Sequence, residues 1–181
     1  MWELFQKFGI RFNQITHAQF IWHYWSPTTY ICNIIWALPF KTMALDKIFK
    51  IQKKYCRLIT FSLYKAHSNP LFSKLKFLTV YDINKLQIAL HMYKIINRLI
   101  SYNEHFDFRT NFQIHDHDTR QKNDIHQAYC RTQTRQNTLQ FQGPKLWNAL
   151  PTELKNVTPI SHFKRKLKLH LFDFDLPFYK S

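Results

Sequence analysis

From Met43 to Phe61 apolar positions recur at three- and four-residue intervals. Leu45, Ile48, Phe49, Gln52, Tyr55, Cys56 and Ile59 predict one buried stripe of a helix. Lys47, Lys50, Lys53, Lys54 and Arg57 project elsewhere, giving the same helix a cationic face. Asn69-Pro70 reads as a helix start, with Asn as cap and Pro at the first helical position, for a short helix through Leu71, Leu75 and Phe77. Asp82 is then expected to cap a longer helix from Ile83 to about Ile100. Its residues Ile83, Leu86, Leu90, Tyr93, Ile96 and Ile100 form one stripe, and Ile88, Met92, Ile95 and Leu99 a second. A helix apolar on two faces belongs at the centre of the core.

The periodicity dissolves between Ser101 and Gln136, where Arg109, Arg120, Lys122, Arg131 and Arg135 alternate with Glu104, Asp107, Asp116, Asp118 and Asp124. That stretch reads as a long exposed loop or linker. Thr138-Leu139-Gln140-Phe141 alternates in polarity and suggests a short strand. Pro144 is expected to open a short helix carrying Leu146, Trp147 and Leu150, which Pro151 stops. Thr158-Pro159 begins the last helix, with Ile160, Phe163, Leu167 and Leu171 inward and Lys164, Arg165, Lys166 and Lys168 around the remaining surface. The aromatic-rich residues 1–40 read as a helix, a break near Ser26-Pro27, then helix or strand. The expected fold class is mainly α: a small helical bundle with a polar loop region and a short β-hairpin or strand before the C-terminal helices. Three parts follow: a helical region 1–100, a polar linker 101–136, and residues 137–181 with a short strand and helices.

Composition supports a helical reading, because only Gly9 and Gly143 are glycine in 181 residues. So few glycines exclude a glycine-rich phosphate cradle and disfavour folds built on many tight hairpins. A net charge of +15 favours polyanionic partners, of which nucleic acid is the commonest. Cys32, Cys56 and Cys130 are odd in number and far apart, which argues against a secreted disulfide framework and for a reducing compartment. The start, Met1-Trp2-Glu3-Leu4, lacks the basic region of a secretory signal. No charged residue of the Lys, Arg, Asp and Glu set falls between Arg11 and Lys41. The span nevertheless holds His17, His23, Asn33 and Pro27, so it reads as core or interface rather than as a membrane crossing. An intracellular location, cytoplasmic or nuclear, is expected.

Candidate chemistry is thin. Two-metal polymerase catalysis needs closely placed carboxylates, and the sequence has no adjacent acidic pair. His115-Asp116-His117-Asp118 has an alternation that a strand turns into one metal-facing edge, although a solvated polar loop is the preferred reading. No catalytic residue, metal site, cofactor or small-molecule substrate is assigned. Two basic clusters remain, Lys41 to Lys76 and Lys145 to Lys168. Within them Lys47, Lys50, Lys53, Lys54, Arg57, Lys164, Arg165, Lys166 and Lys168 are the candidate nucleic-acid-binding residues. Contacts of this kind go to phosphates of RNA or DNA, without sequence preference and with steep salt dependence.

Several stretches, in order, carry a family resemblance. They are Tyr30-Ile31-Cys32-Asn33-Ile34-Ile35-Trp36, the run Gln52 to Thr60, Pro70-Leu71-Phe72, Leu78-Thr79-Val80-Tyr81-Asp82, and Met92-Tyr93-Lys94. His117-Asp118-Thr119-Arg120, Gly143-Pro144-Lys145-Leu146-Trp147-Asn148-Ala149-Leu150-Pro151 and the basic run Phe163 to Lys168 complete the set. Together they resemble the C-terminal region of LINE-type (non-LTR) retrotransposon reverse transcriptases, over roughly residues 27–172. The resemblance implies a parent RNA-directed DNA polymerase whose thumb matches the early helices and whose C-terminal extension matches the rest. It also implies that fingers, palm and endonuclease are missing, so the chain is expected to be catalytically inactive alone, with its helices gripping template or primer backbone. The alternative is a domesticated module that docks its aromatic N-terminal segment onto a protein partner or a membrane surface.

Overall fold

The structure is a computed structural model that describes residues 43–100, 108–115 and 119–173. The expectations placed on residues 1–40 lie outside them. The fold is mainly helical. Its described elements are α1 (Met43–Ile59), α2 (Asn69–Leu75), α3 (Val80–Ile96), α4 (Asn111–Ile114), α5 (Gln133–Gln136), α6 (Leu139–Ala149), α7 (Thr152–Lys155) and α8 (Ile160–Asp173). Among the described residues extended pairing is limited to one antiparallel bridge, Thr110 to Ile125.

Helix α3 is the centre, as its two apolar stripes predict. Ile83, Leu86, Ile88, Ala89, Leu90, Met92 and Tyr93 are all buried. α6 and α8 pack along it, and α1 covers its first turns. Phe163 of α8 is fully buried, with its ring stacked on Tyr93 at 4.6 Å and tilted against Trp147 at 6.0 Å. The Tyr93 hydroxyl donates to the Val157 carbonyl at 3.0 Å, so the polar end of this buried ring is satisfied. Between α1 and α3, Gln52 makes a polar splice inside an apolar seam. Its Nε2 donates to the Leu78 carbonyl at 2.8 Å and its Oε1 accepts from the Val80 amide at 3.0 Å. Those backbone groups belong to the entrance of α3, which leaves them without intrahelical partners.

Helix boundaries differ from expectation in three places. Helix α3 ends at Ile96, just before the left-handed Arg98, rather than near Ile100, so Ile96 and Leu99 of its predicted stripes are 41% and 59% exposed. Helix α3 begins at Val80 rather than Ile83, because Thr79 and not Asp82 is the cap. Thr79 Oγ1 accepts from the Asp82 amide at 3.2 Å and donates to Asp82 Oδ2 at 2.5 Å, and Asp82 also pairs with the buried Lys85 at 3.1 Å. Residues 138–141 are not a strand. Thr138 alone is extended, and its carbonyl accepts from the amides of Phe141 and Gln142, so Leu139 already starts α6. Pro144 therefore lies inside that helix rather than opening it. Its missing N–H removes one donor from the middle of that helix.

The scarcity of glycine shows at the helix ends. α1, α2 and α3 are each followed by a residue in the left-handed region that is not glycine: Phe61 at φ 50°, Lys76 at 52° and Arg98 at 53°. The following amides close the last turns, Ser62 onto Arg57, Phe77 onto Phe72 and Leu99 onto Lys94. This is the double-bonded cap that glycine normally occupies, and a side chain there costs about 1 kcal/mol.

Candidate nucleic-acid interface

Helix α1 divides its circumference three ways. At about 100° per residue, Ile48, Ile59, Gln52, Leu45, Cys56 and Phe49 form the inward arc, all buried or half-buried. Lys53, Arg57, Lys50, Lys54 and Lys47 follow one another around a separate arc of roughly 120°. Lys47, Lys50 and Lys54 are exposed, and Lys53 and Arg57 are half-buried. Two of the five are held in place: the Lys53 ammonium lies 4.1 Å from the centre of the Phe49 ring, and Arg57 Nε donates to the Ala66 carbonyl at 3.0 Å. The third arc is apolar yet open to water, with Leu58, Ile51 and Tyr55 respectively 69%, 46% and 41% exposed. Tyr55 was expected inward, but it falls just past the edge set by Ile48.

Helix α8 places its cations less evenly. Phe163, Leu167 and Leu171 are buried in one line, as predicted. Lys164, Lys168 and Arg165 occupy one flank, while Lys166 is turned roughly 100° of helix rotation away from the nearest of them, Arg165. Lys164, Arg165 and Lys166 are exposed, whereas Lys168 is half-buried. Burial, reinforced by the neighbouring Lys164, pushes the Lys168 ammonium below its usual range. The two predicted clusters thus sit on different helices, each packed on α3.

The polar stretch before α5 holds a feature that sequence reasoning missed. Asn148 of α6 reaches it with both ends of its amide: Oδ1 accepts from the Ile125 amide at 3.0 Å and Nδ2 donates to the Ile125 carbonyl at 2.8 Å. Asn111 ties the other wall, with Nδ2 donating to the Gln121 carbonyl at 2.9 Å and Oδ1 at 3.1 Å from His126 Nδ1. These ties frame an open cavity of about 440 Å³ between the stretch and α6, lined also by His115, Asp124, Gln127 and Lys145. No periodicity or motif in the sequence marked this pairing of Asn148 with Ile125. Of the suggested metal edge, Asp116, His117 and Asp118 lie outside the described residues. Among the described residues no group of three His, Cys, Asp or Glu side chains is placed to hold a metal ion. No helix of the described residues is long and apolar enough to cross a membrane.

No family model, curated protein or solved structure matches this chain.

Proposed function

We propose that the chain is a thumb-and-downstream portion of a LINE-type reverse transcriptase lineage. In this reading it binds the backbone of RNA or DNA without sequence preference and catalyses no polymerisation itself. The observation that carries the binding reading is the cationic arc of α1. Five basic side chains share one side of a helix whose other sides are apolar; Asp46, the one acidic residue of that helix, falls on the same side between Lys53 and Arg57, and its carboxylate accepts from the Tyr81 hydroxyl. A solvated helix face also gathers its charges opposite the buried stripe, but five cations to one anion on that face suit a phosphate backbone, which is met by cations. The order of the motifs, from the Gln52 run to the Gly143-Pro151 block, supports the lineage. Converting Lys50 and Lys54 to Glu tests the reading. Affinity for a short RNA–DNA hybrid should fall at least tenfold with the melting temperature unchanged, and an unaltered affinity contradicts it.

A second reading is favoured by a different observation. Leu58, Leu63 and Tyr64, around the end of α1, are 69%, 84% and 78% exposed. Apolar side chains gathered at one place suit a protein partner or a membrane surface. Changing Leu58 and Leu63 to Glu in the full chain separates the two readings. Unchanged hybrid binding with reduced self-association or reduced retention on lipid vesicles supports the docking reading, and unchanged values of all three remove it.

A further inference from the structure

The cavity between the polar stretch and α6 has the make-up of a small polar-ligand site. Among the described residues lining it, Ile125 is the only apolar one, so an oily ligand finds no matching wall. Its volume of about 440 Å³ is within the range that takes a ligand of nucleotide size. Two imidazoles meet there, His115 and His126, with ring centres 6.1 Å apart and planes at 69°. His115 is exposed and His126 half-buried, so each has a side open to the cavity. Asn111 commits its Nδ2 to the Gln121 carbonyl, which leaves its Oδ1 to accept from His126 Nδ1. In neutral His126 the proton is therefore on Nδ1, and Nε2 is the acceptor. Lys145, on the exposed side of α6, brings a cation to the rim, and Gln121 and Gln127 add amide groups that both donate and accept. Asp124 is the acidic group among the described lining residues; burial holds the nearby Lys155 ammonium below its usual range, and Asp124 partly opposes that shift.

We infer that this cavity binds one nucleotide unit of a single strand, its base stacked on the exposed His115 ring with the His126 ring meeting it edge-on, and its phosphate at Lys145. The ligand class follows from the combination: flat rings stack on any base, amides meet base edges, and a lysine meets a phosphate as a point charge. Asn148 and Asn111 hold the walls in place before any ligand arrives. This inference deepens the backbone-binding reading and rests on it for the kind of polymer. The cavity adds a grip on an unpaired nucleotide to the grip of α1 and α8 on phosphates.

The test uses the full chain with AMP, adenosine and inorganic phosphate as separate probes. Binding is followed by the imidazole NMR signals of His115 and His126, assigned with His115→Gln and His126→Gln. AMP should shift both signals, and adenosine and phosphate should each bind at least tenfold more weakly than AMP. His115→Ala and Lys145→Ala, both at exposed positions, should each weaken AMP by about tenfold with unchanged melting. Lys164→Glu with Arg165→Glu should weaken a single-stranded oligonucleotide but leave AMP binding as it was. If AMP shifts neither signal, or if phosphate alone binds as well as AMP, the inference is overturned. If the α8 charge reversal leaves the oligonucleotide unaffected while AMP still binds, the backbone reading of α8 fails and the cavity assignment stands.

Discussion

Gly143 of α6 lies so close to Met92 of α3 that a Cβ on Gly143 would sit 2.5 Å from the methionine sulfur and 3.3 Å from its Cγ. Both residues are buried, Met92 completely, so the thioether has little room to retreat. This contact explains why one of only two glycines in the chain occupies the middle of a helix, where it costs roughly 1 kcal/mol in propensity. Gly143→Ala is expected to lower stability by about 1–3 kcal/mol through overpacking. Combined with Met92→Ala, its cost should shrink by about 1 kcal/mol or more, a coupling that denaturant melts of the two single variants and the double variant measure. Strict additivity would contradict the contact.

Trp147 sits between its neighbours on α6 and the Phe163 ring, 7% exposed and within the main hydrophobic cluster. Removing the indole leaves a cavity at the junction of α3, α6 and α8. Trp147→Ala should cost roughly 3–5 kcal/mol, enough to unfold a large share of molecules in a domain of ordinary stability. A thermal melt beside an oligonucleotide titration separates this role from base stacking. Unchanged melting with weakened binding would place the ring in the interface.

The left-handed Arg98 ends α3 where glycine would be relaxed, and its side chain is exposed. Arg98→Gly should therefore stabilise the fold by about 0.5–1 kcal/mol, net of the unfolded-state entropy that glycine adds. Arg98→Val should destabilise it, because a β-branched residue tolerates this conformation poorly. Equal melting temperatures for the two variants would contradict the assigned geometry.

The two described cysteines should differ in reactivity. Cys56 is 1% exposed, and burial pushes its thiol up from 9.0 to about 11, with Arg57 opposing the shift. Cys130 is only partly covered. At pH 8 iodoacetamide should modify Cys130 in the folded protein and spare Cys56, as peptide mass spectrometry will show. The same shift has a sign for stability. A folded-state value above the unfolded one means Cys56 supports folding fully below pH 9.0 and loses that support as pH rises towards about 11. Cys56→Ala should flatten that part of the alkaline stability profile.

The stripes of α1, α3 and α8 were legible in the sequence because each helix meets its neighbours on the face its own periodicity marks. Ile88, Met92, Phe163 and Leu167 are all buried where spacing put them. Local chemistry was harder to read at the entrances. Thr79 and Asp82 both have capping side chains, and only geometry shows that the hydroxyl caps while the carboxylate turns to Lys85. Residues 138–141 alternate in polarity for too short a run to define a period, and the inward demand of Gly143, Leu146 and Trp147 draws them into α6. The cavity could not be read at all. Its walls depend on Asn148 pairing with Ile125, 23 positions earlier, and no periodicity encodes the partner of an amide.

The central claim is that the cations of α1 and α8 bind nucleic-acid phosphates, and a salt titration of an RNA–DNA hybrid tests it most directly. Fluorescence anisotropy should show binding at about 50 mM salt and its near-complete loss by about 0.5 M. The slope of log affinity against log salt should be about −4 or steeper, as four or more phosphate contacts require, and it should flatten by about 2 units in Lys50→Glu/Lys54→Glu. Absence of binding at about 50 mM salt, or a slope unaltered by the charge reversal, would contradict the account.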